Sequence, residues 1–325
     1  MTASTGSDRA VPAATHRVAC IGECMLEICE SGGELRRGFG GDSANLAVYL
    51  KRLLPALPVR YVTAIGIDEL SDELLAWLAD EGLDTDVVRR ISGRLPGLYW
   101  IRTARDGERR FHYWRGESAA RCLLDGGHVT ALERSLGGTT LACFSGITLA
   151  ILPTDAREAL LEMLARLREN GCRLVFDSNY RAALWPDVHL ARREFARALA
   201  ITDIALLGEA DCHALYRDTE PAAMLERAAA AGAAEVILRC GSAACEGLTG
   251  ARRWTVPVPE PVAAVDTTAA GDAFAAAWLA ARLQDIDPEN AALAGHRLAA
   301  AVVAHPGAII PRSAMPAAAE LFGDR

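Results

Sequence analysis

Short apolar runs, each stopped by glycine or a polar cluster, recur along the chain: RVACIG at 17–22, VRYVTAIG at 59–66, LACFSG at 141–146, RLVFDSN at 173–179, DIALLG at 203–208 and EVILRCG at 235–241. Runs of this length bounded by turn residues predict strands buried on both faces. A helical period fills the segments between them. DAREALLEMLARLRENG repeats leucine at 160, 164 and 167 and stops at Asn170-Gly171, a pair that ends helices. AAMLERAAAAGA, at 222–233, behaves alike before the next strand. Strands alternating with helices predict an α/β fold, a mainly parallel Rossmann-like sheet with helices on both faces. Ligands of such sheets lie beyond the carboxyl ends of the strands. That rule puts Gly22, Glu23, Asp177, Asn179, Arg181 and Gly241 along one rim.

Two stretches break the rhythm by alternating apolar and polar residues: MLEICESGGELRRGFGG at 25–41 and GLYWIRTARDGERRFHYWR at 97–115. Alternation predicts half-exposed strands, and RDGE supplies an Asp-Gly hairpin turn. We expect two antiparallel ribbons, about 25–39 and 94–118, projecting as a small β-lid over a pocket. No repeat or low-complexity linker divides the chain, so a single domain over 17–320 is expected. Residues 1–16 are expected to form a disordered leader, since MTASTGSDRAVPAATH has no apolar core for a secretory signal.

Composition narrows the function. The 325 residues carry a net charge of −8, which argues against nucleic acid or an anionic membrane as the main partner. No run approaches the roughly 18–20 apolar residues of a membrane span. The nine cysteines form no paired CxxC spacing, which predicts reduced, buried thiols in a cytoplasmic protein rather than disulfides or zinc.

The stretch AAVDTTAAGDAFAAAWLAARL, at 263–283, carries the chemistry. Its second half is a strong helix former, yet Gly271 and Asp272 fall in the first turn, where glycine costs about 1 kcal/mol against alanine. A helix N-terminus offers unpaired N–H groups and partial positive charge to an anion, and small residues at 269–271 leave those groups open. An aspartate there would repel a phosphate unless it takes a proton from a hydroxyl attacking that phosphate. The alternative is a plain helix start with Asp266, Thr267 or Thr268 as N-cap. No GxxxxGK[ST] occurs, so a P-loop is excluded.

VDTTAAGDAF resembles the signature of the ribokinase-like (PfkB) sugar kinases, D-T-x-G-A-G-D-x-F. The likeness extends in order through IGECMLEI, RGFGGDSANLAVYLKRL, RLPGLYWI, FHYWRGESAAR, FSGITLAIL, FDSNYRAALW and GAIIPRSAMP, about residues 17 to 316. Within that family these segments are similar to the 2-keto-3-deoxygluconate kinases. The resemblance implies a ribokinase-like fold, ATP as co-substrate with Mg2+, and phosphorylation of the terminal hydroxyl of 2-keto-3-deoxy-D-gluconate. It implies Asp272 as general base, with the amides of Ala269, Ala270 and Gly271 as anion hole. Gly40, Gly41, Asp42, Asn45, Tyr99, Tyr113, Arg115 and Arg181 would bind the sugar acid. Asn179, Arg181, Arg239, Gly241, Ala244, Gly247 and Gly271 would bind ATP, near the helix at 295–305. Arg181 could serve either substrate, and Arg115 could instead be a solvated strand charge.

An arginine fork beside an aromatic wall, as in YWR at 113–115, favours an acidic sugar over a neutral one. The usual lysine before Gly241 is absent, with Arg239 as its substitute, and no N-x-x-E element is legible in ALLGEADCHAL, where Glu209 or Asp211 would act through water. Rival expectations are a relative acting on keto-deoxygalactonate, fructose, a pentose or a nucleoside, or a non-catalytic sugar-acid sensor. Pairing of lids into a dimer is expected from an apolar lid face.

Overall fold

The computed structural model describes residues 16–31, 34–103, 109–259 and 262–323. The strands are β1 (Val18–Ile21), β2 (Met25–Ser31), β3 (Glu34–Gly40), β4 (Val59–Val62), β5 (Ala64–Ile65), β6 (Arg89–Arg90), β7 (Gly97–Thr103), β8 (Arg109–Trp114), β9 (Leu141–Ser145), β10 (Arg173–Asp177), β11 (Ile204–Gly208), β12 (Glu235–Arg239), β13 (Ala244–Thr249) and β14 (Arg252–Pro257). The helices are α1 (Asp42–Leu53), α2 (Glu69–Asp80), α3 (His128–Ser135), α4 (Gly146–Ile151), α5 (Thr154–Glu169), α6 (Val188–Ala200), α7 (Glu209–Tyr216), α8 (Pro221–Ala231), α9 (Ala270–Arg282), α10 (Pro288–Val303) and α11 (Ala318–Phe322).

All six apolar runs become strands of one eight-stranded sheet, ordered β14-β13-β12-β11-β10-β9-β1-β4. From β12 to β4 every pairing is parallel. The chain leaves β1 for β4 on one side and returns to β9 on the other, so the topological switch falls beside β1. Alternate residues of β1 divide between two cores. Val18 and Cys20 join the core with α1, α2, α9 and α10 on one face, while Ala19 and Ile21 join the core with α3 to α8 on the other. The alanines of α9 have a packing role: every residue from Ala273 to Ala281 is buried, and the helix is wedged between α1 and α10.

Two features differ from the sequence expectation. The run 59–66 divides into β4 and a two-residue β5 that pairs with β6 in a separate small sheet. The segment 244–257 adds the antiparallel hairpin β13–β14 to the sheet edge. The lid is one sheet of order β3-β2-β7-β8. Each hairpin is antiparallel, but β2 and β7 run parallel and weld the two ribbons together. The expected Asp106-Gly107 turn and nearly all of the expected leader lie outside the described residues. No helix among the described residues is long and apolar enough to cross a membrane.

Candidate active site

A cavity of about 650 Å³ opens where β1, β9, β10, β11 and β12 end, beneath the lid. Each wall has a distinct source. Gly41 caps α1, Asp42 opens it and Asn45 follows one turn later. Asp177 ends β10, Asn179 and Arg181 follow it, and Asp211 looks in from α7. Arg239 and Gly241 come from the end of β12, and residues 267–272 from the start of α9. Met25, Tyr99, Phe111, Tyr113 and Arg115 descend from the lid.

The N-terminus of α9 has a specific geometry. Its N-cap is Ala269, in the left-handed region at φ 61°, not Asp266, Thr267 or Thr268. Asp266 is buried and works further back: it accepts from the amides of Thr268 (2.9 Å) and Gly307 (2.6 Å), pinning the loop before the helix. The Ala270 amide is already turned to the Thr267 carbonyl at 3.3 Å. A Cβ on Gly271 would meet the Arg239 guanidinium at 3.1 Å, so glycine keeps that corner of the first turn uncovered.

Asp272 accepts from Asn45 Nδ2 at 2.8 Å. Loss of solvent pushes its carboxyl up to about 7, assisted by the negative charges of Asp42 and Asp177 and opposed by Asn45 and Arg239. Asp42 is likewise raised by burial, while it accepts from Ser145 Oγ and, at 3.3 Å, from Asn179 Nδ2. Asn179 sits at φ 29°, a positive value asparagine tolerates better than most residues. Asp211 accepts from Ser178 Oγ at 2.6 Å and is also raised, first by burial.

Arg239 and Arg115, both on the cavity wall, are occupied. Arg239 holds both oxygens of Asp177, at 2.6 and 3.1 Å, and donates to the Gly271 carbonyl at 2.9 Å. Arg115 is a buried ion-pair partner of Glu23, which is 1% exposed, so it is not a solvated strand charge. Its Nε and Glu23 Oε1 have no partner. Tyr113 stands over the guanidinium at 5.9 Å from the ring centre. Tyr99, buried at 6.1 Å from the Tyr113 ring, donates to Glu27 at 2.5 Å. Arg181 is half exposed, donates to the Tyr180 carbonyl and lies 4.0 Å from Asp211.

Most of the residues singled out from sequence therefore converge on one cavity: Gly41, Asp42, Asn45, Tyr99, Tyr113, Arg115, Asn179, Arg181, Arg239, Gly241 and 269–272. Gly40, Ala244 and Gly247 are not on its wall. Gly40 ends β3 against the Tyr99 hydroxyl. Gly247 admits the Trp254 indole, which a Cβ would overlap at 2.0 Å. His296, in the expected nucleotide-side helix, packs on Phe274 and faces the Val256 carbonyl. The sequence assigned no role to Ile147 or to the Arg239–Asp177 pair, offered Thr267 and Thr268 only as helix caps, and placed Asp211 only through water.

A helix start left open at Gly271, with the buried Asp272 carboxylate in its first turn, sits at the switch point of a parallel sheet and under a β-lid, an arrangement suited to phosphoryl transfer. The chain belongs to the pfkB family of carbohydrate kinases, whose model matches residues 15–315. It is 41% identical over 311 residues to the 2-dehydro-3-deoxygluconokinase of Escherichia coli strain K12, covering 93% of this chain and all of that one. It is 42% identical over 309 residues to the Dickeya dadantii protein of the same name, at 93% and 99% coverage. Among solved structures it resembles a fructokinase with bound ATP from Xylella fastidiosa (TM-score 0.80, 23% identity, 94% and 96% covered). It also resembles a 2-dehydro-3-deoxygluconokinase from Thermotoga maritima (TM-score 0.79, 21% identity, 94% and 97% covered).

Proposed function

We propose that this enzyme transfers the γ-phosphoryl group of ATP to the terminal hydroxyl of 2-keto-3-deoxy-D-gluconate, giving 2-keto-3-deoxy-6-phosphogluconate. The observation that carries the acidic substrate is Arg115, a buried arginine on the cavity wall with an unpartnered Nε. A guanidinium so placed recognises a carboxylate, and a neutral sugar would leave that donor orphaned. The 41–42% identity to 2-dehydro-3-deoxygluconokinases supports the same substrate.

In this reading Asp272 takes the proton as the hydroxyl oxygen attacks phosphorus. One P–O bond forms, the bond to the β-phosphate bridging oxygen breaks, and ADP leaves. The first turn of α9 receives charge on the transferring group, and Asp42 and Asn45 orient the sugar hydroxyls. Tyr113 and Arg115 bring the lid over the substrate and exclude water. Asn179, Gly241 and Arg181 lie on the side left for the nucleotide. Among the described residues no group of three or more His, Cys, Asp or Glu could hold a metal, so the site suits a Mg2+ that arrives on ATP. Asp211, also on the cavity wall, offers the hard oxygens magnesium takes, through water, and the ion would neutralise phosphate charge.

The nine free cysteines favour a reducing, cytoplasmic setting. Leu35 and Trp114, more than half exposed on the lid, favour a dimer formed lid to lid. The deciding experiment is ADP release with Mg-ATP over a panel of 2-keto-3-deoxygluconate, its galactonate epimer, gluconate, fructose, ribose and adenosine. Turnover confined to the first is expected; turnover on a neutral sugar would overturn the role given to Arg115.

A further inference from the structure

Arg239 stands at the end of β12, where a nucleotide contact is the natural expectation, yet four of its five N–H donors are already spent inside the protein. Both Nη atoms grip the Asp177 carboxylate, Nη1 also reaches the Gly271 carbonyl, and Nε points to the Leu207 carbonyl at 3.3 Å. Arg239 and Asp177 side chains are only 16% and 14% exposed. Releasing the guanidinium toward a phosphate would leave Asp177 with an uncompensated charge, an expensive arrangement in a cavity. The bond to Gly271 links the ends of β10 and β12 to the first turn of α9, beside the carboxylate that takes the proton.

We propose that Arg239 is a positioning residue: with Asp177 it clamps the Gly271 peptide, fixing the anion-binding turn and Asp272 relative to the sheet, and it is not a ligand of ATP. This rests on Asp272 being the proton acceptor. The clamp has an electrostatic face as well. Asp272 is faced by Asp42 and Asn45 from α1, Asp177 from β10 and Arg239 from β12, with Asp211, Arg115 and Arg181 on the same cavity wall. Arg239 holds the Asp272 carboxyl down and Asp177 pushes it up, so the two halves of the clamp have opposite effects on when the base is ionised.

The test uses Arg239→Gln and Asp177→Asn in the full chain, with Asp272→Asn as control. Direct ATP titration by calorimetry is combined with the pH profile of kcat/KM for the sugar acid. Expected are ATP affinities within about threefold of wild type and kcat at least tenfold lower in both variants. The acid limb should move to higher pH in Arg239→Gln and to lower pH in Asp177→Asn. A tenfold loss of ATP affinity in Arg239→Gln with kcat kept would make Arg239 a nucleotide ligand. Limbs moving together, or not at all, would reduce the pair to a packing element. An active Asp272→Asn would instead sink the assignment of the base, separating that failure from failure of the clamp. Should Asp177→Asn not fold, the affinity-against-kcat split in Arg239→Gln still decides.

Discussion

Asn45 Nδ2 donates a 2.8 Å hydrogen bond to Asp272 across 227 positions of sequence. The bond ties the first turn of α1, which carries the side chains proposed to meet the sugar, to the first turn of α9. It favours the ionised carboxylate and fixes the direction of its free lone pairs. Replacing Asn45 with alanine is therefore expected to lower kcat about tenfold or more and to shift the acid limb of kcat/KM upward. Asn45→Asp should be worse, because it sets a like charge against the base. Rate profiles between pH 5.5 and 9 measure both; a limb that stays put in Asn45→Ala would remove the bond from catalysis.

With Asp272 as the proposed base, the pH dependence of the enzyme follows from its carboxyl, which burial pushes up to about 7. Since the base must be ionised, kcat/KM should fall about tenfold per unit below pH 7. Stability runs the other way. A carboxyl whose folded-state pKa lies above the unfolded value stabilises the protein fully below about pH 4 and loses that contribution as pH rises through 7. Asp272→Asn, without turnover, should thus melt about 2–4 °C above wild type at pH 8, and that margin should shrink toward pH 4. Calorimetric scans at the two pH values decide, and a lower melting point at pH 8 would contradict the raised pKa.

Arg115→Met should raise KM for the sugar acid at least tenfold with little change in KM for ATP. It also strands the buried charge of Glu23, costing about 3–5 kcal/mol of stability. The double variant Arg115→Met/Glu23→Gln should recover most of that stability and none of the substrate affinity. Denaturant midpoints and steady-state kinetics on the same preparations separate the two effects; recovered affinity in the double variant would mean that Arg115 never touched the carboxylate.

Opposite substitutions two residues apart should have opposite consequences. Ala269 holds a left-handed backbone at φ 61°, which costs an L-residue about 1–2 kcal/mol. Ala269→Gly removes that strain, partly offset by the looser unfolded chain, for a net gain of up to about 1 kcal/mol with kcat within twofold. Gly271→Ala improves helix propensity by about 1 kcal/mol, but it crowds Arg239 and covers the turn proposed to bind the transferring phosphoryl group. A stable enzyme with kcat reduced at least tenfold is expected, read from urea unfolding and initial rates.

The parallel sheet was legible because its strands are apolar on both faces, a signal that depends on no distant contact. Asp272, Asn45 and Arg115 were legible as residues of a resemblance and as chemistry suited to phosphate and carboxylate. Their pairings were not. Nothing local in GECM says that Glu23 will meet Arg115, or in RCG that Arg239 will turn to Asp177, because each partnership is created by strand order. The welding of the two lid ribbons through β2 and β7 is illegible in sequence for the same reason: alternation reveals a half-exposed strand, not its neighbour. Gly247, expected among the ATP-binding residues, owes its missing side chain to Trp254 on the next strand.

The placement of the lid's roots has a mechanical consequence. β2 begins four residues after β1 ends, and β3 ends at Gly40, two residues before Asp42 opens α1. The flap is thus rooted at the wall of the reaction chamber, through connections of three residues and one residue. Any torque on its outer strands reaches Glu23 at one root and Asp42 at the other, and through Asn45 it reaches Asp272. An opening of the flap for product release would therefore also move Asn45 and the Asp272 carboxylate hydrogen-bonded to it. Whatever restrains the flap from outside governs how often the chemistry is armed.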